Sequence, residues 1–150
     1  DKDLQKLMDD MLETMYAAPG IGLAAIQVGV PKRVIVMDLA KKDEPKNPMY
    51  FVNPEIIKKS NNNLTYEEGC LSVPGQFAEI DRPDKCHVKY LDYYGQIKEI
   101  NAEGMLATCI QHEMDHLEGI LFIDYLSKLK KTMIIKKLSK QKKAIERIVV

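Results

Sequence analysis

Gln111-His112-Glu113-Met114-Asp115-His116 holds two of the chain's three histidines, with an acid between them. The run from Met105 to Leu117 contains no glycine or proline, and its apolar residues (Met105, Cys109, Ile110, Met114, Leu117) recur at helical spacing. On a helix, residues four apart share a face, so His112 and His116 present two imidazoles side by side to one metal ion. Glu113 lies one step round, where its carboxylate reaches a water on that metal without binding the metal itself. This is the His-Glu-x-x-His arrangement of metal-dependent hydrolases, in which the acid takes a proton from the metal-bound water. The plainer alternative is a helix that carries two partly exposed histidines.

Two histidines need a third ligand. Cys70 follows Glu67-Glu68-Gly69 in a turn-like segment, whereas Cys86 and Cys109 lie in apolar runs and read as buried, inert thiols. A Cys70 thiolate completes three protein ligands and leaves a fourth position open, the pattern of catalytic metal sites. His87 sits in an alternating run, Cys86 to Leu91, and reads as an ordinary strand residue. A thiolate makes the site soft, favouring iron or zinc over magnesium or calcium. One divalent metal ion per chain is expected, Fe2+ first, with Zn2+, Ni2+ or Co2+ as alternatives. Two competing readings share the helix. A His-Glu-x-x-His peptidase takes its third ligand from downstream, where no histidine follows His116 and Glu118 is too close. A structural zinc site needs a fourth ligand, which Cys109 supplies only if it faces the metal.

Gly20-Ile21-Gly22 has no strand before it and no third glycine opening a helix, so the dinucleotide-binding reading fails. The glycines and alanines from Gly20 to Ala25 instead let backbone approach something bulky, such as a substrate or a metal site. Gln27 is the one long polar side chain in this apolar stretch; a turn residue facing water is its alternative.

These residues need a scaffold, and 150 residues suffice for one domain with its own core. A composition of 45% hydrophobic and 29% charged residues is that of a soluble globular domain, with no apolar run long enough to span a membrane and no export leader. An odd number of cysteines, three, suits a reducing compartment better than a disulfide framework. Net charge is zero but uneven: from Tyr125 onward nine Lys/Arg face Glu146 alone, leaving the tail at +8 and the body at −8. That asymmetry points to a polyanionic partner for the tail.

The order of elements reads as α+β. Leu4, Leu7, Met8, Met11, Leu12 and Met15 mark an opening helix that Pro19-Gly20 ends. Residues 33–38 read as a strand and 41–48 as a surface loop. Asn53-Pro54 reads as a turn between residues 50–52 and a further strand over 55–59. Residues 60–63 form a loop, and 85–92 with 96–100 form a hairpin about Tyr94-Gly95. The metal helix follows, stopped by Gly119. Residues 120–123 are a short buried connection, and a basic helix runs from about Tyr125 to the end. The expected architecture is antiparallel β-sheets packed around a central metal-binding helix, with an N-terminal and a long C-terminal helix.

Three segments together resemble the peptide deformylases. Gly20 to Gln27 reads Gly-x-Gly-x-Ala-Ala-x-Gln, Glu68 to Ser72 reads Glu-Gly-Cys-x-Ser, and His112 to His116 reads His-Glu-x-Asp-His. The resemblance spans nearly the whole chain. It implies hydrolytic removal of the formyl group from the N-terminal formyl-methionine of nascent proteins, with release of formate. By position, Cys70, His112 and His116 then hold the metal and Glu113 is the general base and acid. Gln27 and the backbone N–H of Leu71 stabilise the oxyanion. Ile21, Gly22, Glu68, Met105 and Cys109 surround the methionine pocket or the peptide backbone, and Asp115 pairs with Arg82. The implied setting is a bacterial-type cytoplasm (or an organelle) and a monomer. The tail is expected to dock on ribosomal RNA at the tunnel exit. Members carry a further strand-bearing segment upstream of the first helix, and many have arginine where Phe77 stands here, so a charged contact to the distal part of the substrate is missing.

Overall fold

The computed structural model describes residues 1–70 and 73–149, and the side chains up to residue 140 with the exception of position 75. Helix α1, Lys2–Ala17, begins on Asp1, whose carboxylate accepts the N–H groups of Asp3 and Leu4 at 2.8 and 3.1 Å. Seven strands follow: β1 Gly22–Ala24, β2 Val34–Met37, β3 Met49–Lys59, β4 Asn63–Cys70, β5 Val73–Pro83, β6 Lys85–Leu91 and β7 Ile97–Glu103. Helix α2, Met105–Leu117, carries the two-histidine motif, and α3 runs from Lys128 to Val149. Single 3₁₀ turns occupy Ala25–Val28 and Phe122–Tyr125.

Five strands form one antiparallel sheet in the order β1-β2-β3-β6-β7, and β4 with β5 forms a separate hairpin. All four residues of β2 are buried, because the sheet is covered on both faces. Val34 and Val36 face Met8, Met11 and Met15 of α1, while Ile35 and Met37 join Phe51, Val88 and Ile110 under α2. A third cluster joins Val73 and Ile80 of β5 to Phe122, Ile123 and, from α3, Ile134. Helix α2 is thus clamped between the large sheet and the hairpin.

Two stretches differ from the sequence-based expectation. Asn53-Pro54 is no turn: β3 runs on through it as one strand of 11 residues. The register against β6 slips between Val52 and Glu55, and Asn53 takes a φ of +49°, a left-handed conformation that asparagine tolerates. The turn-forming dipeptide therefore marks a bulge, with Asn53 N–H held by the Arg33 carbonyl at 2.8 Å. The segment around Cys70, expected to be turn-like, ends β4 of the hairpin that β4 and β5 form. One face of that hairpin carries Glu68 and Arg82 among its buried residues, so the apolar alternation that announces a strand is broken there. The final helix also starts later than expected, at Lys128, since Tyr125 closes the preceding 3₁₀ turn.

Candidate active site

Met105, Thr108, Cys109, His112 and Glu113 recur every three or four residues along α2 and line one cavity of about 530 Å³. Its other walls are Ile21 and Gly22, beside and in β1, and the hairpin residues Tyr66, Glu68, Cys70 and Phe77. Cys70 ends β4 where the hairpin register shifts, and this turns its sulfur toward α2. Cys70 Sγ lies 3.2 Å from His116 Nε2, which lies 3.2 Å from His112 Nε2, and all three donor atoms are within 4.8 Å of one another. Two nitrogens that share a tetrahedral ion at about 2.1 Å stand roughly 3.4 Å apart, so this cluster suits one metal ion. Among the described residues Cys109 does not join the group, which leaves a structural zinc without its fourth donor. Burial pushes the Cys109 thiol well above its usual pKa. His87 lies apart, bonded through Nδ1 to Asn101 Oδ1 at 2.5 Å in the sheet.

A buried charge network orients the cluster. Glu68 Oε1 takes His112 Nδ1 at 2.8 Å, which leaves the His112 Nε2 lone pair for the cluster. Arg82 grips both oxygens of Glu68 at 2.7 and 3.0 Å and reaches Asp115 Oδ2 at 2.7 Å. Tyr125 donates its hydroxyl to the same Asp115 oxygen at 2.6 Å. Glu68, expected around the methionine pocket or the peptide backbone, borders the cavity, and its carboxylate is bonded to His112 and Arg82. The Arg82–Asp115 pair is present as expected. The bonds of Arg82 to Glu68 were not anticipated, because only the hairpin register brings the two to one face.

The electrostatics favour positive charge at the cluster. Burial alone would lower His112, but the Cys70 sulfur and Glu68 carboxylate bonded to it, with Glu113 beside it, push its pKa up to about 10. A divalent ion meets that demand as a proton would. Burial pushes Glu113 up to about 7, with His112 and His116 opposing the rise. Burial would raise Glu68 too, but His112 and Arg82 hold it below the usual carboxylate range. Glu113 is therefore poised to exchange a proton near neutral pH, while Glu68 stays a fixed anion.

Gln27 reaches this centre from the 3₁₀ turn. Its Oε1 accepts the Ala24 N–H at 2.8 Å, so Nε2 points at Cys70 Sγ, 3.3 Å away. Leu71, the other expected oxyanion donor, lies outside the described residues. Gly22 backs onto Glu113: a Cβ there would stand 2.9 Å from Oε1 and 3.1 Å from Cδ. The close approach foreseen for the Gly-rich stretch is thus to the Glu113 carboxylate. Ile21 and Met105 are half exposed at the cavity mouth, and Cys109 is buried in its wall. Phe77 covers Gly69 at the rim and is 62% exposed, so an apolar ring occupies the place where a charge was expected to be missing. Thr108 and Tyr66 were not singled out from the sequence. Thr108 precedes His112 by four residues and so shares its face, a signal legible in the spacing.

A family model described as polypeptide deformylase matches residues 1–132. The chain is 70% identical over 138 residues to the peptide deformylase of Pelagibacter ubique, covering 92% of this chain and 80% of that protein. It is 64% identical over 144 residues to that of Phenylobacterium zucineum, covering 96% and 85%. The crystal structure of peptide deformylase from Ehrlichia chaffeensis superposes with a TM-score of 0.91 at 45% identity, covering 96% of this chain and 86% of that one. Its complex with actinonin gives 0.88 at 48% identity, covering 94% and 84%. With the metal-ligand cluster, the buried acid and the cavity above them in one place, the chain belongs to the polypeptide deformylase family, metal-dependent hydrolases that take the formyl group from N-terminal formyl-methionine.

Proposed function

We propose that Cys70, His112 and His116 hold one divalent ion, Fe2+ ahead of Zn2+, Ni2+ or Co2+, and that the remaining cavity residues position a formyl-methionyl peptide over it. The convergence of one sulfur and two imidazole nitrogens at 3.2 Å spacing beside a buried carboxylate carries this reading. An ion held there supplies a Lewis acid and lowers the pKa of a water to about 7. Glu113 takes the proton of the attacking water and returns it to the leaving amine nitrogen. Gln27 Nε2 and the Leu71 backbone N–H meet the charge that develops on the formyl oxygen, each donor contributing about 3–4 kcal/mol. Ile21, Met105 and Cys109 offer soft apolar contacts for an unbranched side chain. Gly22 and Ile21 lie where the peptide backbone passes. Formate release from a formyl-Met peptide, measured with iron, with zinc and after chelation, tests the reading; equal rates in all three would sink it.

Cys70→Ala is expected to abolish stoichiometric metal binding or weaken it severely, whereas Cys86→Ala, in the sheet core and outside the ligand group, should keep full metal content. Metal analysis of the purified variants decides between them. Gly22→Ala is expected to lower kcat by about 10² with metal retained. The new methyl must displace the Glu113 carboxylate, and misplacement on the scale of 1 Å costs that much. Near-normal kcat in a Gly22→Ala enzyme would mean that Glu113 has slack.

The basic helix is proposed to dock on ribosomal RNA where formylated chains emerge, in a bacterial-type cytoplasm. No described helix is long and apolar enough to cross a membrane. Lys130, Lys136, Lys137 and Lys140 are exposed on α3, while Ile134 is buried against β5. Truncation before Ile134 would therefore strip part of the core, and charge reversal is the cleaner probe. Replacing those four lysines by glutamate should leave activity on short formyl peptides in place. It should abolish co-sedimentation with ribosomes, a binding that in the parent weakens steeply with salt. Equal co-sedimentation of variant and parent at low salt would reduce the helix to a solvated face.

A further inference from the structure

We propose, on the reading that Cys70, His112 and His116 hold the ion, that the Tyr125 hydroxyl is a positioning group for His112 and slows the loss of that ion. Tyr125 closes the 3₁₀ turn Phe122–Tyr125 and is half exposed. Water satisfies an exposed phenol equally well, yet this one is directed inward, to Asp115 Oδ2 at 2.6 Å. A hydroxyl bonded to a carboxylate makes one of the stronger hydrogen bonds. The ring also lies over the Arg82 guanidinium, with Cζ 4.9 Å from the ring centroid, and Arg82 beneath it is 4% exposed. A surface residue therefore touches two members of the buried charge network at once.

The path from the hydroxyl to the metal ligand runs through charged hydrogen bonds only. Asp115 Oδ2 receives Tyr125 and also Arg82 Nη1, the latter at 2.7 Å. Arg82 gives Nε and Nη2 to Glu68 at 2.7 and 3.0 Å, and Glu68 Oε1 takes His112 Nδ1 at 2.8 Å. A guanidinium is a rigid plane, and the bond from Nη1 to Asp115 stops it pivoting on Glu68. The Asp115 side chain is 20% exposed, so without the phenol its carboxylate turns toward water. Arg82, Glu68 and the His112 ring then lose their orientation in turn, and a poorly oriented ligand holds its metal less well. The turn itself is fixed from two sides. Phe122 stacks on His112, ring centroids 6.4 Å apart, and shares a core cluster with Ile134 of α3, while Lys131 of α3 pairs with Asp124. The start of the basic helix thus holds the cover of the metal centre, a task separate from any docking of its lysines.

Zinc release from the loaded protein into excess chromogenic chelator is measured for the parent, Tyr125→Phe, Asp115→Asn, the double variant and Tyr93→Phe. Phenylalanine at 125 keeps the ring over Arg82 and removes only the hydroxyl. Tyr125→Phe is expected to release zinc about three- to tenfold faster, the range of one hydrogen bond. Asp115→Asn should also release faster, and adding Tyr125→Phe to it should change little, because both act through one carboxylate. Tyr93→Phe removes a bond of the same kind, to Asp9 at 3.1 Å on the α1 side of the sheet, and should release at the parent's rate. Release at the parent's rate in Tyr125→Phe overturns the proposal, and so does a full further acceleration in the double variant. Equal acceleration in Tyr93→Phe overturns it too, because general loosening then explains the effect. A parent that takes up no zinc sinks the ligand-set reading itself; a parent that holds zinc no more firmly than Tyr125→Phe sinks only the role of the phenol.

Discussion

Glu113→Gln is expected to lower turnover by roughly 10²–10⁴ while metal content stays that of the parent, the scale of losing general acid–base catalysis. The amide keeps the size and shape of the acid, so the packing against Gly22 is preserved. What disappears is a group that can accept a proton and give it back. Glu113 is 4% exposed, and its Oε2 has no hydrogen-bond partner among the described residues. Such a carboxylate is costly to bury for stability alone, and Glu113→Gln should therefore melt no lower than the parent. Single-turnover kinetics, metal analysis and a thermal melt on one preparation separate these quantities. A metal-replete Gln variant with near-normal turnover would remove Glu113 from the mechanism.

The second large effect is structural and comes from Arg82. Arg82→Met is expected to cost about 3–5 kcal/mol of stability, the usual result of stripping one partner from a buried ion pair. Arg82 is 4% exposed and holds both oxygens of Glu68, itself 6% exposed, so its loss strands an anion with only His112 for company. Asp115 suffers less, being retained by Tyr125 and partly open to water. With Glu68 no longer held, the His112 ring loses its anchor, and metal affinity should fall as well, by the 10–100-fold typical of groups that orient a metal ligand. Adding Glu68→Met to Arg82→Met should recover much of the stability, because the stranded charge goes, but none of the metal affinity. Denaturant unfolding and metal titration of the two variants measure both. A single-variant loss under 1 kcal/mol would show that water or a rearranged side chain replaces the guanidinium.

The sequence by itself determined that two histidines and an acid lie together on one helix. Two histidines four apart with a glutamate between them share a helix face wherever that helix is placed, because helical geometry is local. Strand β2, the β6–β7 hairpin, the apolar face of the first helix and the Gly119 stop were legible for the same reason: each signal lies within a few residues of the element it marks. Local signals misled where a special residue served a long-range purpose. Asn53-Pro54 has turn chemistry, but pairing to β2 and β6 carries the strand through it as a bulge. Residues 63–83 hide a hairpin because inward positions that usually hold apolar side chains hold Glu68 and Arg82 for the metal site.

Only the tertiary structure decided which groups meet across the sequence. Cys70 joins His116 over 46 residues, and Glu68 joins His112 over 44. Gly22, the first residue of β1, comes against Glu113 of α2. Contacts of this kind follow from how the hairpin, β1 and α2 pack together, and residue spacing along the chain carries no information about that.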